Sequence, residues 1–300
     1  MNNINDKLFL KLLKTYTYAF VLIFVGYTLI NWFLTAKFRF LEINTVYIVV
    51  FVPLLVCLIF TYFVFRPLIY KLKFNQKAAE FSLWILLPFS IGISIAFSQS
   101  FFIDKSYSVI AIDKPSDIVK YPKERFYKIK KYLILPERYF IIREQHTLGK
   151  NGTTLVVSNY FTTAIYDDST QTDSLSKVAY GTLFSTSIHN GVFDKDLQTP
   201  IIKKFNIQSD IDYSNYNFYN VDLFERVFNS DDAVNFNESW MNNSSYDKRI
   251  KPIVITKMNR TLDELNQNNW NMFVYTTVIS YFTSIIFLFL FNLFKRRKTK

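Results

Sequence analysis

Cysteine is nearly absent from this chain: its 300 residues hold one, Cys57. A single thiol allows neither an intrachain disulfide nor a cysteine-based metal site. Histidine is nearly absent too, with His146 and His189 the only two. No His-Glu-x-x-His, no Gly-x-Gly-x-x-Gly and no phosphate-binding loop occurs. The string "DIDYS" (210–214) starts like a calcium loop but lacks the turn glycine and the distal glutamate. The sequence therefore offers no motif for metal, dinucleotide or nucleotide chemistry, and no cofactor is expected.

Charge is missing from four long runs: 16–34, 45–65, 81–98 and 272–294. Each is about as long as a helix needs to cross the roughly 30 Å hydrocarbon layer of a bilayer. Cys57 lies in the second. The third carries Pro88, Gly92 and several serines and is the least apolar. Lys7, Lys11 and Lys14 precede the first run as in a signal peptide. However, the run is too long, and Leu34 stands where a cleavage site before Ala36 wants a small residue, so a retained helix is expected. The runs hold no Asp, Glu, Lys, Arg or His, which argues against ion or proton transport.

What the chain has in excess is positive charge, +11 overall. Residues 99–270 hold 21 Lys plus Arg and 21 Asp plus Glu, so the excess lies wholly beside the apolar runs. One group comprises Lys7, Lys11 and Lys14, then Arg66, Lys71, Lys73 and Lys77, then Lys295, Arg296, Arg297, Lys298 and Lys300. The loop between the first two runs has only Lys37 and Arg39. Short positive-rich segments stay in the cytoplasm. Both termini are thus expected inside, 99–270 outside, and "KRRKTK" reads as the stop of a fourth span, not as a nucleic-acid arm. No nucleic-acid partner is expected. The piece "NDKLFLKLLK" sets Lys7, Lys11 and Lys14 on one face. It reads either as an interfacial helix or as an extension of the first span.

The expected fold is a multi-pass α-helical membrane protein with four transmembrane helices and an inserted extracytoplasmic, strand-rich α+β domain. Residues 1–98 give the N-terminal segment and three spans, 99–270 the domain, and 271–300 the fourth span and basic tail. Within the third span Ser90, Ser94 and Ser98 make a small face suited to helix packing.

In 99–270, "YSVIAI", "RYFIIREQHTL", "TTLVVSNYFTTAIY" and "SKVAYGTLFSTSI" read as strands, with "GKNG" (149–152) as a hairpin turn. "KPSDIVKY" reads as a turn or two of helix. "NSDDAVNFNESWMNN" reads as a short helix capped by Ser230, and "KPIVITK" as a strand. Thr261 and Glu264 have capping-box spacing before a helix that continues into the fourth span, with Trp270 at the interface. "DYSNYNFYN" (212–220) has no clean period. Its Tyr213, Tyr216, Phe218 and Tyr219 suit either a contact surface or the domain core. Asn-x-Ser/Thr triplets begin at Asn151, Asn237, Asn242, Asn243 and Asn259 and would carry sugar only in a eukaryotic secretory route.

The strings "DLFERVFNSDDAVNF" (222–236) and "ERFYKIKKYLI" (124–134) resemble the membrane-anchored extracytoplasmic region at the front of some bacterial rhomboid-like proteins. The likeness covers about 100–294. Rhomboid peptidases use a Gly-x-Ser-Gly serine and an intramembrane histidine. Here Gly92-Ile93-Ser94-Ile95 lacks the second glycine and no run contains histidine. The resemblance thus implies an accessory region without the peptidase.

The function expected is a non-catalytic binding domain held at a bacterial inner (plasma) membrane. Its partners would be the lipid bilayer and a protein, peptide or envelope component; a homo-oligomer is compatible. The alternatives are a hydrolase using His146 or His189, and an immunity-type or pore-forming membrane protein.

Overall fold

A computed structural model describes residues 2–37, 47–72, 77–149, 153–171, 176–189, 195–228, 230–241 and 251–297. The chain divides into a helical unit, residues 1–107 and 262–300, and a sheet unit, 108–261.

Four helices in the helical unit are long and apolar enough to cross a membrane, over Lys7–Leu34, Tyr47–Lys71, Glu80–Lys105 and Leu262–Asn292. Helix α1 spans Asn2–Asn31, α2 Tyr47–Lys71 and α3 Lys77–Lys105. Of the two readings of this piece, an interfacial helix or an extension of the first span, the structure has the second: it is the start of α1 itself. Phe9 and Leu12 turn into the same core as Tyr16, Leu87, Ile91 and Leu288, so their burial is met without a second, surface-lying helix. The outer face of the unit exposes Tyr18, Leu22, Phe63, Phe81 and Ile279. A contiguous apolar exterior of this kind suits lipid rather than water.

The expected limits of the inserted domain, 99 and 270, move inward. α3 continues to Lys105 and the last helix begins at Leu262, because the polar residues flanking each apolar run contain no helix breaker. That last helix, through Arg297, is about 54 Å long at 1.5 Å per residue, well beyond the hydrocarbon thickness. Of the cations expected to set topology, Arg66 lies 4.7 Å from the Tyr62 ring and 5.5 Å from that of Trp84. Lys71 ends α2, Lys77 opens α3, and Lys295, Arg296 and Arg297 close the last helix. Lys73, Lys298 and Lys300 lie outside the described residues.

The serine face of α3 joins helices. The Tyr16 hydroxyl meets Ser90 Oγ at 2.9 Å, and Ser94 Oγ meets Ser280 Oγ at 2.6 Å. Thr28 reaches Ser98 at 3.3 Å, while Gln99 Nε2 donates to Thr28 Oγ1 and Gln99 Oε1 accepts from Asn31 Nδ2 at 2.6 Å. Bonds of this type between membrane helices are each worth about 0.6 kcal/mol, up to 1–2. Ser94 is fully buried. Ser94→Leu would force added volume between α3 and the last helix and lower stability by about 1–3 kcal/mol. A thermal melt of the detergent-solubilised protein reads this out. An unchanged midpoint would show that the contact is not close-packed.

The sheet unit is built on seven strands: β1 Val109–Ile112, β2 Phe126–Ile129, β3 Leu133–Leu148, β4 Thr154–Tyr166, β5 Val178–His189, β6 Phe224–Arg226 and β7 Ile253–Lys257. Their order is β1-β2-β6-β7-β5-β4-β3. The β3–β4 and β4–β5 pairs are antiparallel, while β5–β7 and β1–β2 are parallel. Gly149, with φ 85°, supplies the left-handed residue that starts the β3–β4 turn. Residues 150–152 of the expected turn lie outside the described residues.

Strand β4 is buried on both faces because a helix covers each. Phe161 and Ile165 pack with Tyr180, Tyr213 and Phe218 under α4, Lys195–Ser214. Tyr160, Ala164 and Tyr166 pack with Phe236 and Trp240 of α5, Asp231–Met241. Ser230 caps α5, its Oγ accepting from Ala233 N–H at 3.2 Å. Gly181 lies beneath α5, where a Cβ would meet Phe236 Cε1 at 2.8 Å, so close helix–sheet packing requires glycine there. The final helix is α6, Leu262–Arg297.

Candidate interaction edge of the sheet domain

Tyr213, Tyr216, Phe218 and Tyr219 do not form one contact surface. Tyr213 and Phe218 are core residues, 2% and 3% exposed. Tyr213 ends α4 and stacks on Phe161 at 4.5 Å, because the helix turns this residue inward against β4. Burial pushes its phenol above the ordinary tyrosine range, and burial does the same for Tyr180. Tyr216 is half-buried and shares a hydroxyl contact with Tyr180 at 3.1 Å. Tyr219 is exposed, but its hydroxyl accepts from Ile134 N–H and donates to Ile134 C=O. It straps the loop after α4 to the start of β3.

The polar groups where α5 meets β3 and β4 also serve as straps. Tyr160 OH donates to Asp232 at 2.8 Å, and Asn235 Nδ2 donates to Glu144. Burial, with the nearby carboxylate of Asp232 assisting, pushes the Tyr160 phenol up to about 12. Among the described residues no three His, Cys, Asp or Glu side chains gather as a metal would require.

His146 and His189 sit on the α5 face of the sheet, toward the hairpin end, where both are exposed. His146 pairs with Val156, and His189 with Thr154, so β4 lies between them. Among the described residues no serine or carboxylate is hydrogen-bonded to either ring. The hydrolase alternative thus finds two separate surface histidines.

The chain matches no protein-family model, no curated protein and no solved structure.

The feature that stands out is an unequal treatment of sheet edges. β1 is four residues long, and a short edge strand resists pairing. β3, the opposite edge, is guarded by Pro136, Glu137 and Arg138 at a register break between Ile134 and Tyr139. It is further tied down by Arg143, which donates twice to Asp210 of α4, both bonds 2.8 Å. β5 has a third edge. β7 pairs with it only from Val178 to Gly181. The Lys177 carbonyl accepts from Ile253 N–H, which orients the odd-numbered residues of β5 toward the β7 side. Leu183, Ser185, Ser187 and His189 therefore present their backbone N–H and C=O groups beyond the end of β7. Among the described residues no strand accepts them. Strand β5 carries no charged residue and no proline over its whole length. Its outer half alternates between exposed and half-buried side chains, with Leu183 40% exposed. Among the described residues none of the devices that blunt the other two edges is present here.

The sequence showed a strand at this place. It held no sign that β7 would stop short of it, because that depends on a pairing between segments about 75 residues apart.

Proposed function

We propose that this chain is a membrane-anchored binding module. Four helices hold it in a bacterial plasma membrane with both termini cytoplasmic, and the sheet domain is displayed on the outer side for a protein or peptide partner. The distribution of short positive-rich segments supports the orientation. The observation that carries the binding role is the unguarded outer edge of β5. A row of unpaired backbone donors and acceptors beside apolar side chains is a template for strand addition.

One experiment tests both parts. Reporter fusions after residues 72, 180 and 300 are expected to read inside, outside and inside. A photo-crosslinking residue at Leu183 is expected to give one adduct of discrete mass in cells, lost when Ser187→Pro removes an outward N–H. The same probe at Val119, exposed elsewhere on the domain, should give none. An inside signal at 180, or equal labelling from 183 and 119, would sink the proposal.

A further inference from the structure

We propose that the occupant of the β5 edge is a second copy of the same edge, paired antiparallel about a two-fold axis at Thr186. The idea rests on the reading of the sheet domain as a binding module and names its partner.

Three observations converge on it. The first is the location of the free stretch. β7 leaves β5 at Gly181 and β5 ends at His189, so the stretch 183–189, which no described strand pairs on that side, is centred on Thr186. The second is the sequence of that stretch, "LFSTSIH", which is nearly palindromic about the same residue. Ser185 and Ser187 flank Thr186, and Phe184 and Ile188 flank those. The third is polarity. Odd-numbered residues present the outward backbone groups, so a symmetric antiparallel pairing must match odd with odd and even with even. An axis at Thr186 does this. Ser185 then faces Ser187 of the other copy as a hydrogen-bonded pair, and Leu183 faces His189.

Side chains agree with this register. On the α4 face, Phe184 lies opposite Ile188 of the second copy, twice over by symmetry, with Thr186 opposite Thr186 between them. Aromatic–β-branched and Thr–Thr pairs are among the favourable cross-strand neighbours. Shifting the axis to Ser185 would instead set Phe184 against Thr186 and Leu183 against Ser187. No like charges oppose each other, because the strand has none. A foreign strand would find backbone groups here but no charge to select it. The self-match is the specific signal on this edge. A two-fold contact of this kind closes on itself and leaves no further edge of β5 to extend.

The test uses the full chain in lipid nanodiscs or vesicles loaded with several copies, in a Cys57→Ser background. At the axis, Thr186 and its symmetry mate form a non-hydrogen-bonded pair with Cα atoms about 4.5 Å apart, within disulfide range. Thr186→Cys is expected to give, on mild oxidation, a covalent dimer of twice the 35.6 kDa chain. Ser185→Cys alone is expected to stay monomeric. Mixing Ser185→Cys with Ser187→Cys is expected to restore the dimer, which fixes the register. Ser187→Pro is expected to abolish non-covalent dimers by light scattering and leave the thermal midpoint in place, because that N–H faces away from β4.

Absence of dimer from both Thr186→Cys and the mixed pair overturns the proposal, provided the variants melt as the parent does. Dimer from Ser185→Cys alone overturns the register. If the purified chain stays monomeric while the Leu183 probe captures a different protein in cells, self-pairing fails and the binding-module reading stands. If neither adduct forms, both fail.

Discussion

Trp240→Ala should lower the stability of the sheet domain by about 3–5 kcal/mol, the range for truncating a fully buried large aromatic. Trp240 is 1% exposed on the inner face of α5 and packs edge-on to Phe140 at 6.1 Å. With Phe236 it fills the space between α5 and the β4–β5 surface. Domains are stable by about 5–15 kcal/mol in total, so the loss is a large share, and α5 should detach first. The denaturant midpoint of the full chain measures it. Val234→Ala, on the same helix but facing outward at 54% exposure, should change stability by less than about 0.5 kcal/mol. Equal effects from the two would mean that α5 does not dock as described.

Alkali should unfold the same domain steeply. Burial raises the phenols of Tyr160, Tyr180 and Tyr213 above their ordinary range, Tyr160 to about 12. An unfolded tyrosine releases its proton near pH 10. Below that pH both states hold these protons and stability is complete. Above it the folded state binds more protons than the unfolded one, so stability falls as pH rises. The Tyr160 share is spent by about pH 12, and the other two continue beyond. Each group contributes a slope of about 1.4 kcal/mol per pH unit, or about 4 for the three together. Denaturant titrations at stepped pH between 10 and 12, with tyrosinate absorbance as the reporter, give the slope directly. Tyr180→Phe should make it shallower by about one third, at a fixed cost at neutral pH from the lost Tyr216 contact. A slope indifferent to that change would show that Tyr180 ionises without unfolding the domain.

The helical unit was largely legible in the sequence because charge-free runs of this length have few alternatives. Most strands were legible as well, since "TTLVVSNYFTTAIY" and its neighbours are β-branched and aromatic throughout. α4 was not, and its composition explains why. Its inward face is Phe205, Asn206, Ser209 and Tyr213, with Asn206 accepting from Asn159 of β4. Its outward face carries Ile201, Ile207 and Ile211, each about half exposed. Apolar and polar residues occur on both faces there, so periodicity pointed nowhere. The same mixed pattern hid the role of Tyr213, which belongs to the last turn of that helix. The serine face of α3 was visible as a pattern. Its partners on α1 and α6 were not, because they come from residues up to 186 positions away.

The sheet is also assembled out of order. β7 is the last strand to be synthesised, yet it lies between β6 and β5 near the middle of the sheet. Until residue 257 has been made, β3, β4 and β5 can form a three-stranded piece with all of β5 open along one side. β1, β2 and β6 form a separate piece that nothing yet joins to it. Only four residues, 258–261, separate the strand that closes this gap from the start of α6. Completion of the sheet and the arrival of the last apolar helix therefore fall close together in synthesis. A chain cut short before β7 would be left with two half-sheets and a much longer sticky edge than the finished protein shows.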